Sequence, residues 1–262
     1  MKGPAKILCI GGSDSGAGAG IQADMKAVDA CGGYALTVIT ALTAQNTRGV
    51  QDILPVTPKF IEAQLDAVLS DIGADAVKTG MLLTAGAVSA VAKKIRQYDL
   101  KNVVIDPVMM AKGGRSIMQD AARLGLVAKL LPLAFVITPN IPEAETLANM
   151  KIRSIAAMKK AAAEIVRLGV PNVVIKGGHL PGSRKSGSVD ILYNAGGCVV
   201  YHADWINTKN THGTGCTFAS LLATQLAQGN NITEAVRQAK KKVTRAIEQS
   251  LKLGHGHGPV RV

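Results

Sequence analysis

Short apolar runs, each closed by polar, glycine or proline residues, constrain this chain more than any other feature. Ile7-Leu8-Cys9-Ile10 ends in Gly11-Gly12-Ser13-Asp14, and the run 35–39 leads on to Ala44-Gln45-Asn46. Asp75-Ala76-Val77-Lys78 ends in Thr79-Gly80-Met81, and Val103-Val104-Ile105 ends in Asp106-Pro107-Val108-Met109. Phe135-Val136-Ile137 is closed by Thr138-Pro139-Asn140, and Val173-Val174-Ile175 by Lys176-Gly177-Gly178-His179. Between them, segments such as 60–69 and 85–95 repeat apolar residues at helical spacing. Strands alternating with helices predict βαβ units on a parallel sheet, hence an α/β fold. Ligands of such sheets bind beyond the carboxyl ends of the strands, which places the closing residues at the functional edge. Asp190-Ile191-Leu192-Tyr193 and Cys198-Val199-Val200-Tyr201 flank Asn194-Ala195-Gly196-Gly197. This predicts an antiparallel hairpin at one edge of the sheet. No linker or low-complexity segment interrupts residues 1–262, so a single domain is expected.

The core must be aliphatic, because aromatic residues make up 3% of a chain that is 47% hydrophobic. Buried parallel strands with alanine-rich helices suit that composition. No apolar run reaches membrane-spanning length, and the N-terminus reads as a first strand rather than a leader. Cys9, Cys31, Cys198 and Cys216 form no paired motif, so a cytoplasmic protein without disulfides or zinc is expected. The net charge of +12 suits anionic ligands. Lys240-Lys241-Lys242 falls mostly on or beside the polar side of a helix carrying Val236, Ala239, Val243 and Ile247, the usual place for solvated charge. No stretch interleaves basic residues with stacking aromatics, so nucleic acid is not an expected partner.

Neither a P-loop nor a dinucleotide fingerprint occurs. Phosphate chemistry therefore points to Asn210-Thr211-His212-Gly213-Thr214-Gly215-Cys216, which precedes an apolar helix pattern closed by Gly229. A glycine loop entering a helix aims free N–H groups and the positive end of the dipole at one point, a seat for an anion. Cys216 in the first turn would have its thiol pKa drawn down toward neutrality. The same spacing fits an ordinary loop–helix junction with an inert cysteine.

The stretch 11–24 carries five glycines and ends in Asp24, which fits either a substrate loop or a flexible loop with a solvated helix aspartate. Asp106 after an apolar strand is a metal ligand near phosphates or a turn former. Asn140-Ile141-Pro142-Glu143 is a capping box or, through Glu143, part of a Mg²⁺ site. Lys176 at a strand end needs an anionic partner such as phosphate. His255 and His257 read as a loop, because the further ligands of a closed metal site are missing.

Taken together these stretches resemble the hydroxymethylpyrimidine/phosphomethylpyrimidine kinases of thiamine biosynthesis, within the ribokinase superfamily. The resemblance runs from Ile10 to about Val260. It rests on Ser13-Asp14-Ser15-Gly16 through Gly20-Ile21-Gln22-Ala23-Asp24, Ile39-Thr40-Ala41-Leu42-Thr43-Ala44-Gln45-Asn46-Thr47 and Lys78-Thr79-Gly80-Met81. Asp106-Pro107-Val108-Met109 with Ala111-Lys112, Thr138-Pro139-Asn140-Ile141-Pro142-Glu143, Lys176-Gly177-Gly178-His179 and the 207–216 stretch complete it. Cysteine at 216, where sugar kinases of the superfamily carry aspartate, is the discriminating position. Ala17, Ala19 and Met110 depart from the family's pattern.

The resemblance implies a three-layer α/β/α sandwich with a mostly parallel central sheet. It implies ATP and Mg²⁺ as cofactors and a homodimer. Gly12, Asp24, Gln45, Met81 and Val108 would line the pyrimidine pocket, with Gln45 hydrogen-bonding the ring. Lys176, Asn140 and Thr208 would meet ATP, and Asp106 and Glu143 would organise Mg²⁺. Gly213, Thr214, Gly215 and Cys216 would be catalytic, their N–H groups stabilising the transferring phosphoryl and Cys216 accepting or orienting the hydroxyl proton. Two successive transfers would follow, to the hydroxymethyl group and then to its monophosphate. A cysteine-type pyridoxal kinase is the nearest alternative, since its substrate also has a ring and a CH₂OH. A non-catalytic pyrimidine-binding regulator is the other.

Overall fold

The structure, a computed structural model, describes residues 3–110 and 117–262. Its strands are β1 (Lys6–Asp14), β2 (Tyr34–Asn46), β3 (Gly49–Pro55), β4 (Ala76–Thr79), β5 (Val103–Ile105), β6 (Val136–Ile137), β7 (Asn172–Lys176), β8 (Ser188–Asn194) and β9 (Gly197–Ala203). They form one nine-stranded sheet in the order β3-β2-β1-β4-β5-β6-β7-β8-β9. The pairs from β2 through β7 are parallel; β3 on β2, β8 on β7 and β9 on β8 are antiparallel.

Side chains alternate across the sheet, as the two-residue period of a strand requires. Leu8 and Ile10 of β1 pack on one face with Leu65, Val88, Ala144 and Met158. Ile7 and Cys9 pack on the other with Phe218, Leu222 and Val236. The first face is covered by α2 (Pro58–Leu69), α3 (Ala85–Gln97), α4 (Asp120–Gly125), α5 (Ile141–Ala148) and α6 (Ile155–Val166). The second is covered by α1 (Gly20–Asp29), α8 (Thr214–Ala227) and α9 (Ile232–Glu248); a short α7 (Ser183–Ser186) precedes β8. The expected three-layer arrangement is therefore present. Its parallel strands place Asp14, Thr79, Asp106 and Lys176 at or just past their carboxyl ends.

The fold differs from the sequence reading at two places. A second antiparallel hairpin, β2–β3, closes the opposite edge of the sheet. Its outer strand carries exposed Gln51 and Asp52 and ends at Pro55, the polar pattern of an edge strand rather than of a core run. Lys240 is not part of a solvated charge run. It is 7% exposed, and its ammonium lies 2.9 Å from Asp190 Oδ2 and donates to Ser188 Oγ. It sits on the buried side of α9 beside Ala239 and Val243, tolerated there because the Asp190 carboxylate pairs it.

The helix after the glycine loop begins as expected. Gly213 caps α8 at φ +81°, and a Cβ there would meet the Gly18 carbonyl oxygen at 1.8 Å. Only glycine satisfies both the left-handed conformation and the close approach. Gly229 follows the other end at φ +90°. Among the described residues no helix is long and apolar enough to cross a membrane.

Candidate active site

A cavity of ≈ 760 Å³ opens at the carboxyl ends of the parallel strands. Gly12, Gln45, Met81, Val108, Asp106, Asn140, Glu143, Lys176, Thr208, Gly213, Thr214, Gly215 and Cys216 all line it. Thus every site residue expected from the sequence except Asp24 faces one space.

One end of the cavity is formed by the first turn of α8. Thr217 N–H makes the first helical bond of α8, to Gly213 O at 2.9 Å, so the amides of Gly215 and Cys216 precede the hydrogen-bonded turn. A Cβ on Gly215 would lie 3.3 Å from Lys176 Nζ and 3.5 Å from Asp106 Oδ2, which puts this first turn directly against the Lys176–Asp106 pair. That pair is joined at 2.9 Å. Burial alone would lower the Lys176 pKa, but Asp106 and then Glu143 outweigh it and keep the ammonium charged.

Glu143 closes the capping box of α5: Asn140 N–H donates to Glu143 Oε2 at 2.8 Å, and Glu143 N–H to Asn140 Oδ1 at 3.0 Å. The structural reading of this tetrapeptide therefore holds, and Glu143 faces the cavity as well. Burial pushes its carboxyl up to about 7; the Lys176 ammonium opposes that and Asp106 adds to it. Thr208 stands at the entry to the loop, its hydroxyl accepting from Asn210 N–H at 3.1 Å.

The other end holds the groups picked for a ring. Gln45 Nε2 lies 3.0 Å from His212 Nε2, and Gln45 Oε1 lies 3.3 Å from the Thr43 hydroxyl, which donates to Ser13 O at 2.9 Å. Met81 is pinned through its carbonyl, which accepts from Thr40 Oγ1 at 2.7 Å. A Cβ on Gly12 would meet Met81 Cε at 2.2 Å, so Gly12 leaves room for that methyl. Val108 sits on the loop after β5, its N–H bonded to Asp106 O at 2.9 Å. Met110 is 47% exposed at the rim, while Ala111-Lys112 lie outside the described residues.

Two expectations are corrected. Asp24 does not line the cavity: it is fully buried, and both its oxygens lie 2.8 Å from Lys78 Nζ. Asp24 Oδ1 also accepts from Ser220 of α8 at 2.8 Å. A buried carboxylate needs such partners, so Asp24 supports the site from beneath, and Lys78 is the member of the pair that reaches the cavity. The thiol of Cys216 is not drawn toward neutrality. Burial pushes it up to about 11, against the opposing pull of Lys78 and an amide bond from Gly20. In the free protein Cys216 is a thiol.

Sequence reasoning gave no role to Asp14 or His212, although both stand inside the quoted motifs. Asp14 accepts from the amides of Gly16 at 2.8 Å, Gly18 at 3.1 Å and Ala19 at 2.8 Å, and its Oδ2 lies 2.9 Å from His212 Nε2. Burial opposes its ionisation, but the bonds from His212, Gly16 and Ala19 outweigh that and hold its pKa below the usual carboxylate value. A strand-end aspartate followed by a run of glycines was the available signal. His255 and His257 lie in a loop as expected. No group of three or more His, Cys, Asp or Glu able to hold a metal occurs among the described residues.

A mostly parallel sheet flanked by two helical layers, with a helix-terminal anion seat beside a lysine and two carboxylates, defines a small-molecule kinase of the ribokinase-like class. The phosphomethylpyrimidine kinase family model matches residues 14–261, and the chain belongs to that family. The hydroxymethylpyrimidine/phosphomethylpyrimidine kinase of Bacillus subtilis is 46% identical over 254 residues, 97% of this chain and 93% of that protein. The thiamine biosynthesis bifunctional protein ThiED of Geobacter sulfurreducens is 51% identical over 97% of this chain, which spans about half (51%) of that longer protein. Among solved structures, an ADP complex of Bacillus subtilis pyridoxal kinase superposes with a TM-score of 0.92 at 40% identity, covering 98% of this chain and 97% of that one.

Proposed function

We propose that this chain, as one kinase domain, transfers phosphoryl groups from ATP to 4-amino-5-hydroxymethyl-2-methylpyrimidine and then to its monophosphate. One observation carries the reading. The first turn of α8 lies against Lys176 and Asp106, while Gln45, Met81 and Val108 line the same cavity. Donor phosphate and acceptor hydroxyl can therefore meet without crossing a barrier.

Asn140, Thr208 and Lys176 bind the nucleotide, Lys176 as the cation facing its phosphates. Gly12, Gln45, Met81 and Val108 hold the ring, and Gln45 fixes its orientation. The N–H groups at 213–216 receive the charge that develops on the transferring group. Cys216, being protonated, orients the hydroxyl. Transfer through a loose transition state lets the hydroxyl proton leave late, to an oxygen of the arriving phosphoryl group, so positioning matters more than base strength.

Two carboxylates, Asp106 and Glu143, suit Mg²⁺, which is typically held by one or two carboxylates together with water and substrate phosphates. Asp106 is committed to Lys176 through Oδ1, and its Oδ2 faces the anion seat. Such an ion would neutralise charge between the donor's phosphates.

The protein is proposed to be a cytoplasmic homodimer. The free cysteines support the first statement. The cross-strand pair Leu42 and Leu54, 45% and 65% exposed on the β2–β3 hairpin, supports the second.

The test is incubation with Mg-ATP and either hydroxymethylpyrimidine or pyridoxal, followed by mass spectrometry of the products. Mono- and diphosphate of the pyrimidine establish the reading. Monophosphate alone removes the second transfer. The likeness to a pyridoxal kinase favours a second reading, and pyridoxal phosphate with little pyrimidine product moves the assignment there. Binding of the pyrimidine with no consumption of ATP would restore the regulator.

A further inference from the structure

Gly254-His255-Gly256-His257-Gly258 alternates glycine with histidine, and the structure gives the alternation a reason that has nothing to do with metal. Gly256 and Gly258 face other backbone, and Gly254 faces the Thr47 side chain. A Cβ on Gly256 would lie 2.0 Å from Thr47 O, and one on Gly258 would lie 2.0 Å from Leu251 O and 2.8 Å from Asn210 Oδ1. Gly254 holds φ +65° with Thr47 Oγ1 at 2.3 Å from its would-be Cβ. Intervening His255 is exposed. A segment that allows no side chain on one side is wedged between two walls.

One wall follows the end of β2, which carries Gln45; the other is the loop that enters α8. On one side, Gly256 N–H donates to Thr47 Oγ1 at 3.1 Å and His257 N–H to Thr47 O at 2.8 Å, two residues beyond Gln45. On the other, Gly258 N–H donates to Asn210 Oδ1 at 3.1 Å, His212 N–H to Gly258 O at 3.1 Å and Val260 N–H to His212 O at 3.1 Å. His257 Nδ1 lies 2.8 Å from Lys209 O. The Gln45–His212 contact at 3.0 Å closes the ring of connections. Its far side is the bond network of Leu251 with Pro259 and Arg261 with Ala246, which anchors the segment to the end of α9.

We propose that residues 251–260 form a strap that sets the spacing between Gln45 and the loop entering α8, with Gly256 and Gly258 as positioning residues. Naming the two ends as ring pocket and phosphoryl seat rests on the function proposed above; the strap itself does not. A displaced strap moves Gln45 relative to the seat; of the nucleotide groups it leaves Lys176 and Asn140, which it does not touch, in place, and shifts only Thr208, which bonds Asn210 on the held loop. Misplacement of about 1 Å in such a geometry costs up to about 10²-fold in rate.

The experiment uses the full chain with Gly256→Ala, and with Thr47→Ala as a gentler variant that removes a hydrogen-bond acceptor without adding bulk. Hydrogen–deuterium exchange is followed by peptide mass spectrometry, alongside KM for each substrate. The expected result is faster exchange both at 45–47 and at 208–216. KM for hydroxymethylpyrimidine rises about tenfold while KM for ATP, held also by Lys176 and Asn140, rises clearly less. His255→Ala, which leaves these contacts intact, behaves as wild type. Faster exchange confined to 251–260, or equal rises in both KM values, overturns the strap. A wild-type protein that phosphorylates no pyrimidine refutes the proposed function instead, and the exchange pattern still decides this point.

Discussion

Lys78 and Asp24 form an ion pair with both carboxylate oxygens 2.8 Å from the ammonium, and neither side chain is more than 1% exposed. Removing one partner strands a charge beneath the cavity. Asp24→Ala should therefore lower stability by about 3–5 kcal/mol. The double variant Asp24→Leu with Lys78→Met should recover most of that loss, because it removes both charges together. Chemical denaturation of the three proteins checks this. A double variant no more stable than the single would mean that the pair is not the source of the loss.

Cys216 should matter for turnover and little for binding. Cys216→Ala removes the group that orients the hydroxyl and is expected to reduce kcat by about 10²-fold. The pyrimidine dissociation constant by calorimetry should change less than about threefold, an energy under roughly 1 kcal/mol. Cys216→Ser should fall between the two proteins. Wild-type turnover in the alanine variant would remove Cys216 from the mechanism.

Ala17 sits at φ +56°, where an alanine costs roughly 1–2 kcal/mol. Its carbonyl accepts from Lys26 Nζ at 2.8 Å, a bond that a glycine keeps. Ala17→Gly should therefore raise stability by about 1 kcal/mol, after allowing for the extra freedom of glycine in the unfolded chain. A melting temperature that falls in this variant would show that the methyl contributes a contact outweighing the backbone cost.

Glu143 makes stability depend on pH. Its folded pKa lies near 7, above the ordinary 4.5, so between those values the folded chain binds more protons than the unfolded one. The stability contributed by the protonated carboxyl is fully present below about 4.5 and is lost as pH rises through about 7. Glu143→Gln, neutral throughout, should gain on the wild type between pH 5 and 8 in Mg²⁺-free thermal melts. A difference between the two proteins that stays constant over that range would refute the elevated pKa.

Much of the architecture was legible because apolar periodicity and strand-end chemistry are local. Val103-Val104-Ile105 followed by Asp106 announces a buried strand and a group at its carboxyl end without any knowledge of its neighbours. The capping box at Asn140 and Glu143 is likewise written within one turn. What remained hidden was settled by partners distant in the chain. Asp24 reads as a pocket residue until Lys78, 54 positions away, claims both its oxygens. Lys240 reads as a solvated lysine until Asp190 appears beneath it. The Cys216 thiol follows helix-terminus chemistry locally, but the cavity wall that desolvates it is tertiary. Strand β3 escaped because an edge strand is selected to look unlike a strand.

The first glycine loop is already occupied. Asp14 takes its Gly16, Gly18 and Ala19 amides, so the chain has filled that nest with its own carboxylate. Under the proposed function, a phosphorylated acceptor cannot park its charge there. Its phosphate and those of the donor must converge on the turn at Gly215 and on Lys176, in one crowded corner. The second transfer is therefore the electrostatically congested one, and screening ions and Mg²⁺ should govern it more strongly than the first.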